Sequence, residues 1–318
     1  MSTKNRVTRR SFLAASAATA GAFAVPTVLT RRGWAGEEMA KPDLKPVPDG
    51  ELEKIEAALP AQATVKPKQP RRLLVFYGCG GFVHGAINRG NAALEMIGEK
   101  TGAFDTVITK DLAVFDPGTL NEFDAVMFNN TTRVPIKDEK RRAALMDFIK
   151  SGKGICGIHA ASDNFYDWPE AAAMMGGLFA GHPWGAGGTW AVQIEEPDHP
   201  VNKGFGGKGF WIKDEIYKMK EPYSRENLRI LVGLDMTKPE NKPGRPDNDN
   251  AISWVRDVEK GRVFYCSLGH NNEIFWNAQV LQHYLDGIQF AMGDLEADAT
   301  PSAQLAQKPK ICPAPDRA

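Results

Sequence analysis

Short, continuously apolar segments alternate with amphipathic segments of helical length through most of this chain, and that alternation limits the fold more than any other feature. Residues 73–77 form an apolar run closed by Gly78-Cys79-Gly80-Gly81. A helix is predicted over 87–100, a strand over 104–108, a buried strand over 125–128, a charged helix over 137–150 and another strand over 154–158. Strands that are apolar along their whole length, rather than at alternate positions, have both faces covered. Interleaved with helices, they give a mostly parallel sheet with helices on both faces, an α/β domain. After Gly176 the sequence becomes rich in Gly and Trp, with short strands predicted over 190–194 and 215–219. Strands over 228–232, 251–255 and 262–267 and a closing helix over 277–292 complete the expected domain.

The ends read differently. Thr8-Arg9-Arg10-Ser11-Phe12-Leu13 opens an Ala-rich apolar run that reaches Val28, and Gly33-Trp34-Ala35 has the small-x-small form of a cleavage site. Adjacent arginines ahead of a short apolar run have the form of a twin-arginine export signal. Residues 1–35 are therefore expected to be a signal peptide, the export machinery a partner, and the mature protein periplasmic or otherwise exported. The run falls short of the ~20 strongly apolar residues of a membrane span, so no stable insertion is expected after cleavage. Residues 36–70, rich in Pro and Lys, are expected to be a linker with one helical stretch over 51–59. The domain proper is placed at 71–293, and the proline-bearing residues 294–318 are expected to be a flexible tail.

The 39 bases equal the 39 acids, but six of the bases precede the first acid, Glu37. The body is thus mildly acidic and lacks a Lys/Arg block, which argues against nucleic acid as a partner. Four cysteines are too few for a disulfide scaffold in a chain of 318 residues.

In an open α/β sheet the site lies beyond the carboxyl ends of the strands. The polar residues there are Gly80, Gly81 and His84 after the first strand, Asn129, Asn130 and Thr131 after the third, His159 after the fourth, and His270, Asn271 and Asn272 after the last. Three of the six histidines fall at one sheet edge. His159 and His270 are read as catalytic or ligating residues. His182 lies on a Gly-rich loop able to fold over the site, and His84 either orients a substrate or binds a loop carbonyl. His199 is expected to make a turn and His283 to pack within the closing helix. Neutral imidazoles suit proton transfer near neutral pH and equally suit ligation of zinc, manganese or iron, with Asp163, Asp214 or Glu215 as a further donor. His159, His182, Glu215 and His270 are the candidate ligands.

Asp163 and Asp167 read either as an acid/base pair or as helix N-terminal charges. Tyr166, Trp168, Trp184 and Trp190 offer flat faces suited to a sugar ring, or a lid packed on its own domain. Cys156 and Cys266 lie within strands, so Cys79, in its Gly-rich loop, is the one cysteine placed to react. Ser162 lacks the Gly-x-Ser-x-Gly elbow of a hydrolase nucleophile, and the phosphate-loop and dinucleotide fingerprints are absent.

Five ordered motifs carry a resemblance. Gly78-Cys79-Gly80-Gly81-Phe82-Val83-His84, Gly157-Ile158-His159-Ala160-Ala161, Gly177-Leu178-Phe179-Ala180-Gly181-His182-Pro183, Asp214-Glu215-Ile216-Tyr217 and the segment from Gly261 through Ser267-Leu268-Gly269-His270-Asn271 resemble the ThuA-like (trehalose utilization) family. The resemblance covers roughly residues 71–293 and implies a flavodoxin-like fold related to class I glutamine amidotransferases. Those enzymes place a cysteine at the strand-to-helix elbow where His159 stands here, and their downstream His-x-Glu pair is replaced by His270-Asn271-Asn272, so amidotransfer is not expected.

The family's link to disaccharide use and 3-keto sugars implies a small carbohydrate substrate, and a glycoside or 3-keto-glycoside cleaved or modified by acid/base chemistry. A C3 ketone acidifies the C2 proton, so a base removes it and the C1 oxygen departs. In that reading His159 or His270 is the base, a metal or His182 polarises the ketone, and Asp163 or Glu215 assists the leaving oxygen. Gly81, His84, Asn130, Tyr166, Trp184, Tyr217 and Asn271 are the candidate substrate-binding residues. A sugar-binding or sensing protein without catalysis is the alternative reading of the same residues.

Overall fold

The apolar runs become strands because both of their faces are covered. A computed structural model describes residues 44–241 and 245–317; the expected signal peptide at 1–35 lies outside the described residues. Among the described residues there are eleven strands: β1 (Arg72–Phe76), β2 (Asp105–Thr109), β3 (Ala125–Asn129), β4 (Gly154–Ile158), β5 (Leu178–Phe179), β6 (Trp190–Ile194), β7 (Phe210–Ile212), β8 (Met219–Lys220), β9 (Arg229–Leu234), β10 (Ala251–Val258) and β11 (Gly261–Cys266). Nine of them form one sheet in the order β2-β1-β3-β4-β11-β10-β9-β6-β7, while β5 and β8 pair separately.

From β2 to β11 every pairing is parallel. This half runs 2-1-3-4-5 when its strands are counted along the chain, the flavodoxin-like order. Beyond β11 the four further strands pair antiparallel. The helices are α1 (Asp49–Ala58), α2 (Ile87–Thr101), α3 (Glu139–Lys150), α4 (Pro169–Met175) and α5 (Ala278–Ala291). Successive residues of β11 show that both faces are covered: Phe264 meets α5 at Gly287, whereas Tyr265 on the opposite face lies beside Gly157, next to Met175 of α4. β3 and β4 are buried at all positions. Among the described residues no helix is long and apolar enough to cross a membrane.

Three expectations change. Residues 44–70 are not a spacer, because α1 buries Ile55 and the segment after it is tied to α5: Thr64 N–H donates to Gln289 Oε1 at 2.9 Å, and Gln289 Nε2 donates to the Val65 carbonyl at 2.7 Å. Pro and Lys dominate this segment's composition, yet its few apolar residues suffice to seat it. The tail is not loose either. Cys312 exchanges backbone hydrogen bonds with Ile194 at 2.9 and 3.0 Å, continuing the place of β7 along β6, and the Pro315 carbonyl accepts from Trp211 Nε1 at 2.8 Å. An otherwise open sheet edge is thereby covered. Finally, 215–219 is not a strand: only Ile216 makes an isolated bridge, to Trp184, and β8 begins at Met219. Side chains of the preceding Asp214-Glu215 pair are drawn into the site.

Candidate functional site

The site forms where the parallel strands end. Just beyond β4, His159 adopts left-handed backbone at φ +48°, and Asn130 beyond β3 does the same at φ +53°. That region costs a non-glycine residue about 1 kcal/mol or more and persists only where neighbours enforce it. For His159 the enforcement is visible: its carbonyl accepts from Tyr265 Oη at 2.6 Å, and its Nδ1 lies 2.7 Å from the Ser267 carbonyl oxygen. A carbonyl can only accept, so Nδ1 carries the proton and Nε2 presents a bare lone pair.

That lone pair faces His270 Nδ1 at 3.3 Å and Glu215 Oε1 at 3.7 Å. Glu215 Oε1 lies 3.2 Å from His270 Nδ1, and Oε2 lies 3.4 Å from Nδ1 of the half-exposed His182. The His84 ring stands edge-on to His159 and His270, with centroids 4.9 and 5.2 Å away. One ligand atom from each of His84, His159, Glu215 and His270 lies within 4.8 Å of all the others.

Asp214 positions this cluster without joining it. It is fully buried, and its two oxygens accept the Gly269 and Asn271 N–H groups at 2.7 Å each, bracketing His270. Gly269 sits at φ +134°, and a Cβ there would lie 2.7 Å from Ile158 Cγ2, so the turn that aims His270 requires glycine. Asn130 ties the same turn to β3 by donating from Nδ2 to the Gly269 carbonyl at 3.2 Å.

The electrostatics separate the donors. Burial, reinforced by the nearby His159 and His270, pushes the His84 pKa down to about 2, so this imidazole is neutral across the physiological range. Its Nδ1 is buried without a hydrogen-bond partner. Burial alone would raise the Glu215 carboxyl, but the imidazoles of His159 and His270 beside it outweigh that and hold it well below the usual carboxylate range. His270 shifts upward through its hydrogen bond to Glu215, against the opposing effect of burial. Three imidazoles and an ionised carboxylate, one imidazole orphaned and another fixed in tautomer by a backbone carbonyl, fit a divalent zinc, manganese or iron ion.

Of the candidate ligands, the structure brings together His159, Glu215 and His270, and adds His84, whereas His182 stands at the rim against Glu215. Tyr217 is buried beside the cluster, its ring 4.2 Å from that of His159 and its Oη 3.4 Å from His84 Nε2. Asn271 is occupied structurally, donating from Nδ2 to the Ala186 and Lys213 carbonyls. Gly81 donates its N–H to the Thr132 carbonyl at 3.2 Å.

Other expectations need correction. Asp163 accepts from Tyr166 Oη at 2.5 Å and is not one of the four clustered donors, and Asp167 pairs with Arg142 at 3.0 Å, so they form no acid/base pair. Trp184 is fully buried and offers no face to a sugar, because its loop turns inward to meet Ile216. Tyr166 lines a different cavity, of about 570 Å³, with Pro222, Tyr223 and Arg245. Cys79 is fully buried, and burial raises its thiol pKa, so it is not a reactive nucleophile. His199 and His283, by contrast, are structural as expected: the first caps the turn at Val201, the second packs within α5 and binds the Val201 carbonyl. The bracketing role of Asp214 was missed, since its adjacency to Glu215 pointed only to a shared set of donors.

The family model of ThuA, described as trehalose utilisation, matches residues 72–291. ThuA-like proteins from Bacteroides uniformis and Parabacteroides merdae have similar solved structures, each with 22% identity and a TM-score of 0.56. The first covers 71% of this chain and 93% of its own, the second 72% and 93%. Among curated proteins none matches this chain.

Proposed function

The chain belongs to the ThuA family, and on that premise we propose that it is an exported carbohydrate enzyme whose cluster of His84, His159, Glu215 and His270 holds a divalent metal. The observation that carries this reading is the convergence of four donors within 4.8 Å around an imidazole whose proton is fixed on the far nitrogen. The family's description, trehalose utilisation, supports a carbohydrate substrate, and we take a glycoside or 3-keto-glycoside as its form. The paired Arg9-Arg10 and the apolar run behind them support export to the periplasm.

When bound, a divalent metal supplies Lewis-acid polarisation to a carbonyl oxygen. With His159 and His270 serving as ligands, the base moves to His182, the imidazole at the rim that Glu215 Oε2 orients. His182 takes the C2 proton of a 3-keto-glycoside. The C2–H electron pair becomes the C1–C2 double bond as the C1–oxygen bond breaks, and the proton passes from His182 to the departing oxygen. In this reading Tyr217, whose Oη lies 3.4 Å from His84 Nε2, donates to a substrate oxygen. The products are an unsaturated keto sugar and an alcohol.

The test is release of p-nitrophenol from a p-nitrophenyl 3-keto-glucoside by the purified protein. Release that stops on chelation, returns with zinc, manganese or iron, and is lost in Glu215→Gln is the expected result. Saturable sugar binding by metal-loaded protein without any product would replace the enzyme with a sugar-binding protein of the same fold.

A further inference from the structure

Phe82 is the most exposed large apolar side chain among the described residues, at 66%, and it adjoins the cluster of His84, His159, Glu215 and His270. Its ring stands edge-on to the His84 imidazole, 4.8 Å between centroids at 82°. Ile311 and Tyr166, exposed as well, do not share this setting. Ile311 lies on the tail, and Tyr166 is attended by the Arg133 and Lys220 cations, 5.2 and 5.1 Å from its ring. Val83, next along the chain, is 38% exposed and extends the same surface.

The backbone beneath Phe82 is pinned. Gly80 and Gly81 both donate N–H to the Thr132 carbonyl, at 2.7 and 3.2 Å, and Thr132 Oγ1 donates to the Phe82 carbonyl at 2.6 Å. A ring of this size gains free energy by leaving water, yet here an ordered loop holds it outward at the mouth of the site. We propose that Phe82 is the platform on which a pyranose ring of the substrate lies while its oxygens face the cluster. A pyranose presents one face of C–H bonds and a rim of hydroxyls. Phenylalanine, which has no hydrogen-bonding group, matches the C–H face, and His84 beside it sits where the rim would fall. This assignment rests on the carbohydrate reading above and names a residue that sets ring affinity.

The experiment compares wild type, Phe82→Ala, Phe82→Leu and Phe82→Trp as metal-loaded full chains, with p-nitrophenyl 3-keto-glucoside as substrate and calorimetric titration of the same sugar as a second readout. Loss of an aromatic contact corresponds to roughly a tenfold change. Phe82→Ala is expected to raise KM and Kd about tenfold, Phe82→Leu to remain impaired, Phe82→Trp to restore affinity, and Mn(II) binding to be the same in all four. Unchanged KM and Kd in Phe82→Ala, or full restoration by Leu, would overturn the platform while leaving the metal reading intact. If wild type binds the sugar without turnover, the enzymatic reading fails and the Kd series alone decides the role of Phe82. A wild type that neither binds nor turns over the sugar overturns both.

Discussion

Asp214 brackets His270: one carboxylate oxygen accepts the Gly269 N–H and the other accepts the Asn271 N–H, both at 2.7 Å. The next residue, Glu215, reaches the His270 ring at 3.2 Å. One dipeptide therefore fixes both the backbone and the imidazole of a candidate ligand. An asparagine at 214 has one acceptor oxygen and would turn its amide N–H₂ toward a backbone N–H. Outer-shell partners of metal ligands are typically worth about 10–100-fold in affinity, so Asp214→Asn should weaken Co(II) binding by about that factor, read from the visible absorption of the cobalt protein. An unchanged Kd and spectrum would show that Asp214 serves only the fold.

His84 and His182 should separate. The former lies in the cluster; the latter is a rim residue against Glu215. His84→Ala should abolish stoichiometric Mn(II) or Zn(II) binding. His182→Ala should leave metal binding within about fivefold, since it removes no donor, while losing turnover by about 10²-fold or more as expected for a missing general base. Loss of metal in His182→Ala with retention in His84→Ala would reverse the assignment.

Asp286 on α5 gives a pH signature. Burial pushes its carboxyl up to about 6, against the hydrogen bonds from Thr64 and Gln282. The folded form therefore holds a proton that the unfolded chain releases near its ordinary value of 3.8. Because the folded state binds more protons in between, this group's stabilisation is greatest below about pH 4 and falls as pH rises to about 6. Relative to wild type, Asp286→Asn should gain up to about 3 kcal/mol across that window and nothing further above it. Denaturant unfolding at a series of pH values checks this, and parallel curves for the two proteins would refute it.

Gly287 is where α5 meets the sheet, and a Cβ there would lie 2.4 Å from Cγ of the buried Phe264 ring. Gly287→Ala should destabilise by about 1–3 kcal/mol through overpacking, despite alanine's better helix propensity. A melting temperature equal to wild type would mean that α5 can shift away from β11 at little cost.

The sequence made the parallel half of the sheet legible because β1, β3 and β4 are apolar at nearly every position, and only a strand covered on both faces reads that way. The strand-end rule then brought His84, His159 and His270 to one edge. Glu215 was recognised by its residue type, but its placement was not predictable from periodicity, because the segment that carries it leaves the strand pattern to enter the site. His84 and His182 exchanged places for a similar reason: both stand in Gly-rich loops, and loop direction depends on contacts such as Thr132 with the Phe82 carbonyl, which no local pattern encodes. Trp184 looked like a sugar-binding face because composition cannot tell an exposed ring from one folded under its own loop. The segment carrying Thr64 and the tail at Cys312 resembled spacers because a few long-range hydrogen bonds, not composition, hold them down.

Metal stoichiometry tests the central claim most directly. Full-length protein, stripped with chelator and titrated with Mn(II) and Zn(II), would be followed by calorimetry and elemental analysis beside His159→Ala and Glu215→Gln. The account predicts one ion per chain in wild type and loss of stoichiometric binding in both variants, with their thermal unfolding in the metal-free state near that of wild type. A wild-type protein that takes up no ion, or variants that bind as tightly as wild type, would contradict it.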